Sequence, residues 1–382
     1  MKHKILTILL AAAVATASAS AATDSIPEKL PVISRLGIEF SPGYVPSTNS
    51  YLSGSNKDDH RINKSFAANI RYDFSFNPNS RQGVLYKGAY QGIGIGVRSF
   101  FANNLLGTPV TAFVYQGAPL VHFNDRLWLG YEWNFGAAFG WKKYDDMENG
   151  DNGAIGSSTT AYINVALLLH YRLSQRWRLS AGIDAGHFSN GNTAWPNAGV
   201  NAIGLRVGLT YTLSQPDEGE ASPMASQWIA EADTPAWCLD VMAFGAWRRK
   251  IVTINDEPQL LKGKFGVAGV QIAPMRRFNR YFLAGASLDL QYDESSHLES
   301  YHIDGTYGDD IKFSRPPFFK QVSAGLSARA EFCMPIFSIN AGLGYNFLGP
   351  SQGHRFYQVL ALKTFLSRNM FPVSYTHLRA HE

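Results

Sequence analysis

Sulfur, charge and long apolar runs are all scarce in this chain, and each scarcity removes a class of function. The only cysteines are Cys238 and Cys333. Two thiols by themselves make no metal site, and neither lies near the amino terminus, where a lipoprotein carries its acylated cysteine. An oxidising compartment would permit a bridge between them, but two buried, unpaired thiols are the expectation. Charged residues make up 17% of the chain, with a formal net charge of +4. Such a balance leaves no concentrated basic face, so no nucleic-acid partner is expected. No segment beyond the amino-terminal region holds 18 uninterrupted apolar residues, which excludes a helical membrane span. It does not exclude a β-barrel, whose strands carry a much weaker signal.

What is present begins with an export signal. Lys2 and Lys4 precede an apolar run from Ile5 to Val14, and Ala17-Ser18-Ala19-Ser20-Ala21 offers two small-x-small cleavage sites. Residues 1–21 therefore read as a secretory signal peptide, with the mature chain starting near Ser20 or Ala22. Its removal lowers the formal charge to about +2. At the other end, residues 373–382 resemble an in-frame translation of a transposon-type sequencing adapter, so no histidine of that tail is read as a site.

From Leu36 onward, alternating apolar and polar residues recur in runs of strand length. The first half contains them at 36–45, 66–77, 88–101, 109–122, 127–142, 160–173, 177–190 and 200–213. Long gaps (46–65, 143–159, 191–199) follow odd-numbered runs, and short ones (123–126, 174–176) follow even-numbered runs. Such asymmetry fits the extracellular loops and periplasmic turns of an outer-membrane barrel. The 35 glycines and 13% aromatics point the same way, and Trp128, Tyr131, Trp133, Phe139, Trp141, Tyr171 and Tyr211 are expected near the membrane interfaces. Asp184 and Arg206 face the lumen by parity and are read as a satisfied interior ion pair.

Residues 214–236, with Pro216, Pro223 and Pro235, read as a linker or long periplasmic turn. Alternation resumes at 237–250, 263–274, 281–293, 318–333, 336–347 and 355–367, and a further strand starts at Met370-Phe371 before the foreign tail cuts it. Because bacterial barrels usually have even strand numbers, about two strands' worth of sequence is expected to be lost from this second set, 237–372. The fold class is thus all-β, an antiparallel transmembrane outer-membrane β-barrel. Two architectures fit: an eight-stranded barrel followed by a second barrel, which the first-half motif and the proline-rich break favour, or one barrel of about 16 strands.

One stretch carries chemistry. In His187-Phe188-Ser189-Asn190 the histidine and serine share a strand face, continuing the apolar row of Leu179, Ala181, Ile183 and Ala185. Asn201 heads a second such row, Ile203, Leu205, Val207 and Leu209, on the same side. A serine hydroxyl needs a base to remove its proton during attack, and His187 is placed for it. The imidazole in turn needs an acceptor to fix its tautomer, for which Asn201 is the candidate. Asn190 is the expected oxyanion donor. No metal or cofactor is expected.

With Pro196-Asn197-x-Gly199 and Gly204-Leu205-Arg206 added, residues 184–209 resemble the outer-membrane lipid A 3-O-deacylase (PagL-like) family, a likeness extending over 36–213. It implies an eight-stranded barrel in the bacterial outer membrane, with His187 as base and Ser189 as nucleophile on the ester that holds a 3-hydroxyacyl chain to lipid A. Lipid A or lipopolysaccharide is then the substrate partner. The family pattern has Glu where this chain has Asn201. The alternative expectation is therefore a non-catalytic barrel, a channel or lipid-binding protein whose triad has lost its acid.

Overall fold

In this computed structural model, the residues described are 32–379 apart from 192–193, 215–221, 249–250, 255–256, 262–263, 297, 299–302, 305–311, 350–354, 365–370 and 372. The expected signal peptide, Pro216 and Met370 lie outside them. Eight strands, β1 (Ile33–Tyr44), β2 (Lys64–Ser75), β3 (Tyr90–Ser99), β4 (Gly107–His122), β5 (Leu127–Trp141), β6 (Thr159–Arg172), β7 (Trp177–Ser189) and β8 (Val200–Ser214), pair antiparallel in chain order. The ring closes where β1 meets β8, with Phe40 opposite Val207 and Tyr44 opposite Ile203. Closure gives every strand a partner on both sides, as a membrane interior without water demands. It also rules out one barrel of about 16 strands.

The alternation read along the sequence becomes the barrel's two surfaces. Ile93 and Ile95 on β3, Ile183 on β7, and Ile203 and Leu205 on β8 lie on the outer face and are exposed. Their neighbours Arg98, Asp184 and Arg206 are buried inside. Glycines in the wall make room for large interior side chains: a Cβ on Gly94 would lie 2.4 Å from the Phe113 ring.

The lumen is filled rather than open. Arg206 Nη1 meets Glu132 Oε1 at 2.6 Å and its Nη2 meets Asp184 Oδ2 at 3.2 Å, the interior pair expected from parity. Arg206 also donates to Asn164. Arg71 bridges Glu39 and Glu132, while Arg35 meets Asp73 at 2.6 Å. A water-sized cavity of about 10 Å³ lies among Glu39, Arg71, Asp73, His170 and Arg178. Because Arg206 joins carboxylates on β5 and β7, Arg206→Ala leaves both without their shared cation. The variant is expected to lose about 3–5 kcal/mol of stability, read as a lower urea midpoint for the folded barrel. An unchanged midpoint would remove the network from the account of what holds the lumen closed.

At the end of the barrel where the long loops emerge, three of the loops and the strand ends flanking the fourth contribute to one apolar cluster. Val45, Tyr51, Leu52 and Ile62 come from the first, Phe100, Leu105 and Leu106 from the second, Ile155 from the third, and Phe188 and Val200 flank the fourth. Short helices α1 (Ser50–Ser53) and, at the opposite end, α2 (Arg81–Leu85) interrupt connections read as irregular. Trp141, expected at the membrane interface, belongs to this interior cluster and donates from Nε1 to Thr160 Oγ1 at 3.0 Å. The preceding Gly140 has φ +87°, a left-handed conformation that breaks the strand's alternation. Trp133 is buried as well, donating to Gln116 Oε1 at 2.6 Å.

The expected linker contains a helix, α3 (Ala225–Asp233), bracketed by Pro223 and Pro235, residues that suit helix flanks because they cannot donate within a helix. The second unit contains a seven-stranded sheet of order β19-β18-β17-β16-β13-β12-β9. Its strands are β9 (Ala236–Arg248), β12 (Phe265–Arg277), β13 (Phe282–Asp293), β16 (Val322–Cys333), β17 (Phe337–Leu348), β18 (Phe356–Thr364) and β19 (Val373–Arg379). Two small hairpins, β10 (Ile251–Ile254) with β11 (Glu257–Leu260) and β14 (Ile303–Asp304) with β15 (Lys312–Phe313), lie in its connections. The strand expected from residue 318 starts at Val322, because Phe318–Lys320 forms a 3-10 turn after Pro316 and Pro317. Here too one face is aliphatic and exposed, as at Leu239, Val241 and Leu290, whereas Gln271, Asp289, Arg329 and Glu331 are buried on the other. Cys238 and Cys333 are both free, the first exposed and the second half-buried. Strands β12 and β13 intervene between theirs, and Cys238, expected buried, is not.

Candidate functional site

His187 and Ser189 occupy the last turn-ward residues of β7, and Asn201 lies directly opposite His187 on β8. All three project from the outer surface, above the exposed aliphatic row of Ile183, Ile203 and Leu205. The intervening Phe188 points inward and is fully buried. Its ring stacks on Tyr162 with centroids 4.9 Å apart and meets Trp141 edge-on at 5.2 Å. One strand end is thus anchored by a core aromatic while presenting polar groups to the membrane side on either flank.

The His187–Asn201 pair forms as expected, with Nδ1 and Oδ1 2.7 Å apart. Asn201 Oδ1 is an acceptor, so Nδ1 carries the proton and Nε2 is left with its lone pair. Gly199 sits beneath this ring. Its φ is +73°, and a Cβ there would approach His187 Cε1 to 3.1 Å and the Phe188 carbonyl oxygen to 2.9 Å. Glycine is needed at this position for both backbone conformation and ring clearance.

Ser189 is not joined to His187 by a hydrogen bond among the described residues. Its Oγ instead pairs with the Asn197 side chain, 3.2 Å from Nδ2 and 3.3 Å from Oδ1, and accepts the Gly191 N–H at 3.1 Å. Asn197 Oδ1 also accepts the Asn190 N–H at 2.8 Å, which ties the loop back onto the end of β7. In the sequence Asn197 is one residue of the Pro196-Asn197-x-Gly199 stretch, with no role legible from strand parity. The loop that brings it to Ser189 is what reveals one.

Asn190, expected as the oxyanion donor, is turned away. Its Nδ2 donates to the carbonyl oxygens of Ala194 at 2.8 Å and Pro196 at 3.3 Å. Strand parity explains this: one residue beyond outward-facing Ser189, its side chain faces inward and becomes a brace for the loop. Among the described residues no cluster of His, Cys, Asp and Glu is gathered to hold a metal ion.

A closed antiparallel barrel with a buried ionic interior and an exposed aliphatic outer wall has the architecture of an outer-membrane protein, and the histidine, serine and amide side chains lie at one end of that outer wall. The family model for lipid A 3-O-deacylase (PagL) matches residues 43–210, and that for the acyloxyacyl hydrolase C-terminal domain (PagL_C) matches residues 237–381. The chain belongs to the lipid A 3-O-deacylase family, a family of hydrolases, and is a protein of the outer membrane. The second match accounts for the half to which the sequence resemblance did not extend. No curated protein matches the chain. Among solved structures, it is similar to Neisserial surface protein A, at 10% identity and a TM-score of 0.31, over 48% of this chain and 100% of that one. It is also similar to Ail, the attachment invasion locus protein of Yersinia pestis, at 10% identity and a TM-score of 0.24, again over 48% and 100% of the two chains.

Proposed function

We propose that the chain is a serine esterase that removes an ester-linked 3-hydroxyacyl chain from lipid A. The observation that carries this reading is the lipid-facing His187–Asn201 hydrogen bond of 2.7 Å, beside a serine on the same strand face. Polar side chains at the edge of a lipid-facing wall cost free energy unless a headgroup or ester meets them. Family membership supports the same substrate.

In this mechanism Ser189 Oγ attacks the ester carbonyl carbon while His187 Nε2 takes its proton. Rotation of the serine side chain from Asn197 towards the imidazole precedes attack, in keeping with catalytic hydrogen bonds that tighten only when substrate is bound. Asn201 Oδ1 holds the ring and its tautomer throughout. The negative charge that develops on the carbonyl oxygen is met by Asn197 Nδ2 and the Gly191 N–H, both already within hydrogen-bond distance of Oγ. Collapse of the tetrahedral intermediate breaks the ester bond, and His187 returns the proton to the departing sugar oxygen. Water then attacks the acyl-serine with His187 again as base, releasing a 3-hydroxy fatty acid and restoring Ser189.

Expression in a Gram-negative host is expected to convert lipid A to a species lighter by one 3-hydroxyacyl chain, seen in mass spectra of lipid A purified from outer membranes. Identical spectra with and without a correctly assembled chain would reject the reading.

A further inference from the structure

The barrel's interior arginines Arg35, Arg71 and Arg206 are held by carboxylates. Two cations beside the site are not. Arg61 and Lys64 are exposed, and among the described residues neither makes an ion pair. Arg61 is nevertheless held in place: its Nη2 donates to Tyr44 Oη at 3.2 Å and its Nε to Ser47 Oγ at 3.2 Å. Tyr44 ends β1, and Lys64 lies directly opposite it at the start of β2. Lys64 also heads the outward row that continues through the exposed Phe66 and Ile70, and a lysine at the end of an apolar wall can lay its stem on that wall and keep its ammonium on the polar side.

The register places this cluster relative to the reacting groups. Tyr44 pairs with Ile203, two residues along β8 from Asn201, and Asn201 pairs with His187. At the usual strand spacing, Tyr44 stands roughly 5 Å laterally from the Asn201 strand and roughly 10 Å from the His187 strand. A guanidinium steered by two neutral hydroxyls and left with free N–H groups presents a fork suited to a phosphate. Lipid A carries its phosphates on the same sugars that bear its ester-linked chains.

We propose that Arg61 and Lys64, with Tyr44 and Ser47 as positioning residues, form a phosphate subsite that binds a phosphate of the lipid being deacylated and sets which ester reaches Ser189. The inference rests on the esterase reading for its substrate. Occupancy of the subsite holds the sugar against β8 and β1, so that acyl chains descend along the outer wall by β7. The subsite takes no part in bond making or breaking.

Binding separates the two ideas. In a Ser189→Ala background, in maltoside micelles free of other phosphate lipids, bis-phosphorylated lipid A is expected to bind at least about tenfold more tightly than the same lipid stripped of its phosphates. Adding Arg61→Ala and Lys64→Ala is expected to abolish that difference by weakening only the phosphorylated lipid. Exchanging the two cations, Arg61→Lys with Lys64→Arg, retains most of it. Equal weakening of both lipids, or no weakening of either, overturns the subsite. Absence of deacylation by the Ser189 parent counts against the esterase reading alone, because the binding ratio is read without turnover.

Discussion

Ser189→Ala is expected to leave no more than about 10⁻⁴ of the parent's deacylation rate, with the barrel still folded. Among the described residues at this site the Ser189 hydroxyl is the group placed to form the acyl intermediate, and what survives its loss is the oxyanion donors acting on water. The substitution is structurally mild. Ser189 is half-buried and its hydrogen bonds are to Asn197 and the Gly191 N–H, while the anchoring of the strand end is done by Phe188 one residue earlier. Lipid A mass spectra measure the first half of the expectation, and heat-shifted mobility of the folded barrel on gels measures the second. A variant that deacylates at the parent's rate sinks the nucleophile assignment.

The second large effect runs in the opposite direction. Asn201→Glu is expected to raise turnover by about 10²–10⁴-fold, the converse of the loss seen when a triad acid is exchanged for its amide. Asn201 Oδ1 accepts the His187 Nδ1 proton at 2.7 Å, so it already supplies orientation and tautomer. It cannot supply the charge that stabilises the imidazolium formed during attack. A carboxylate of one further methylene on the same outward row supplies both, at the level of headgroup water where it stays solvated. Initial rates on purified lipid A in micelles decide the point. If glutamate leaves the rate unchanged, proton transfer to His187 does not limit turnover, and the amide is a sufficient third member. If the parent is inactive and the variant active, the chain is a barrel whose site has decayed.

Much of the site was legible in strand parity. The apolar rows that His187, Ser189 and Asn201 extend put all three on one outward face, and the structure places them there. The same rule, applied one residue further, assigns Asn190 inward, and the structure spends its amide on Ala194 and Pro196. Asn197 was harder to see, because it reaches Ser189 by the path of a loop, which has no periodicity to read. Trp141 shows the limit of parity within a strand, since a single left-handed glycine before it reverses the side it faces.

By itself, the sequence determined that this is an all-β chain of membrane-barrel type, most of the residues that line its wall, and that His187, Ser189 and Asn201 share one outward face. These follow from period-two alternation and from residue chemistry, both local. Only the tertiary structure decided that the first eight strands close on themselves, because pairing of β1 with β8 joins segments far apart in the chain and leaves no local trace. It also decided that the lumen is sealed by ions and aromatics gathered from many strands, and that Asn197 rather than Asn190 stands over Ser189. Contacts across a ring or a loop depend on register and closure, which alternation alone does not specify.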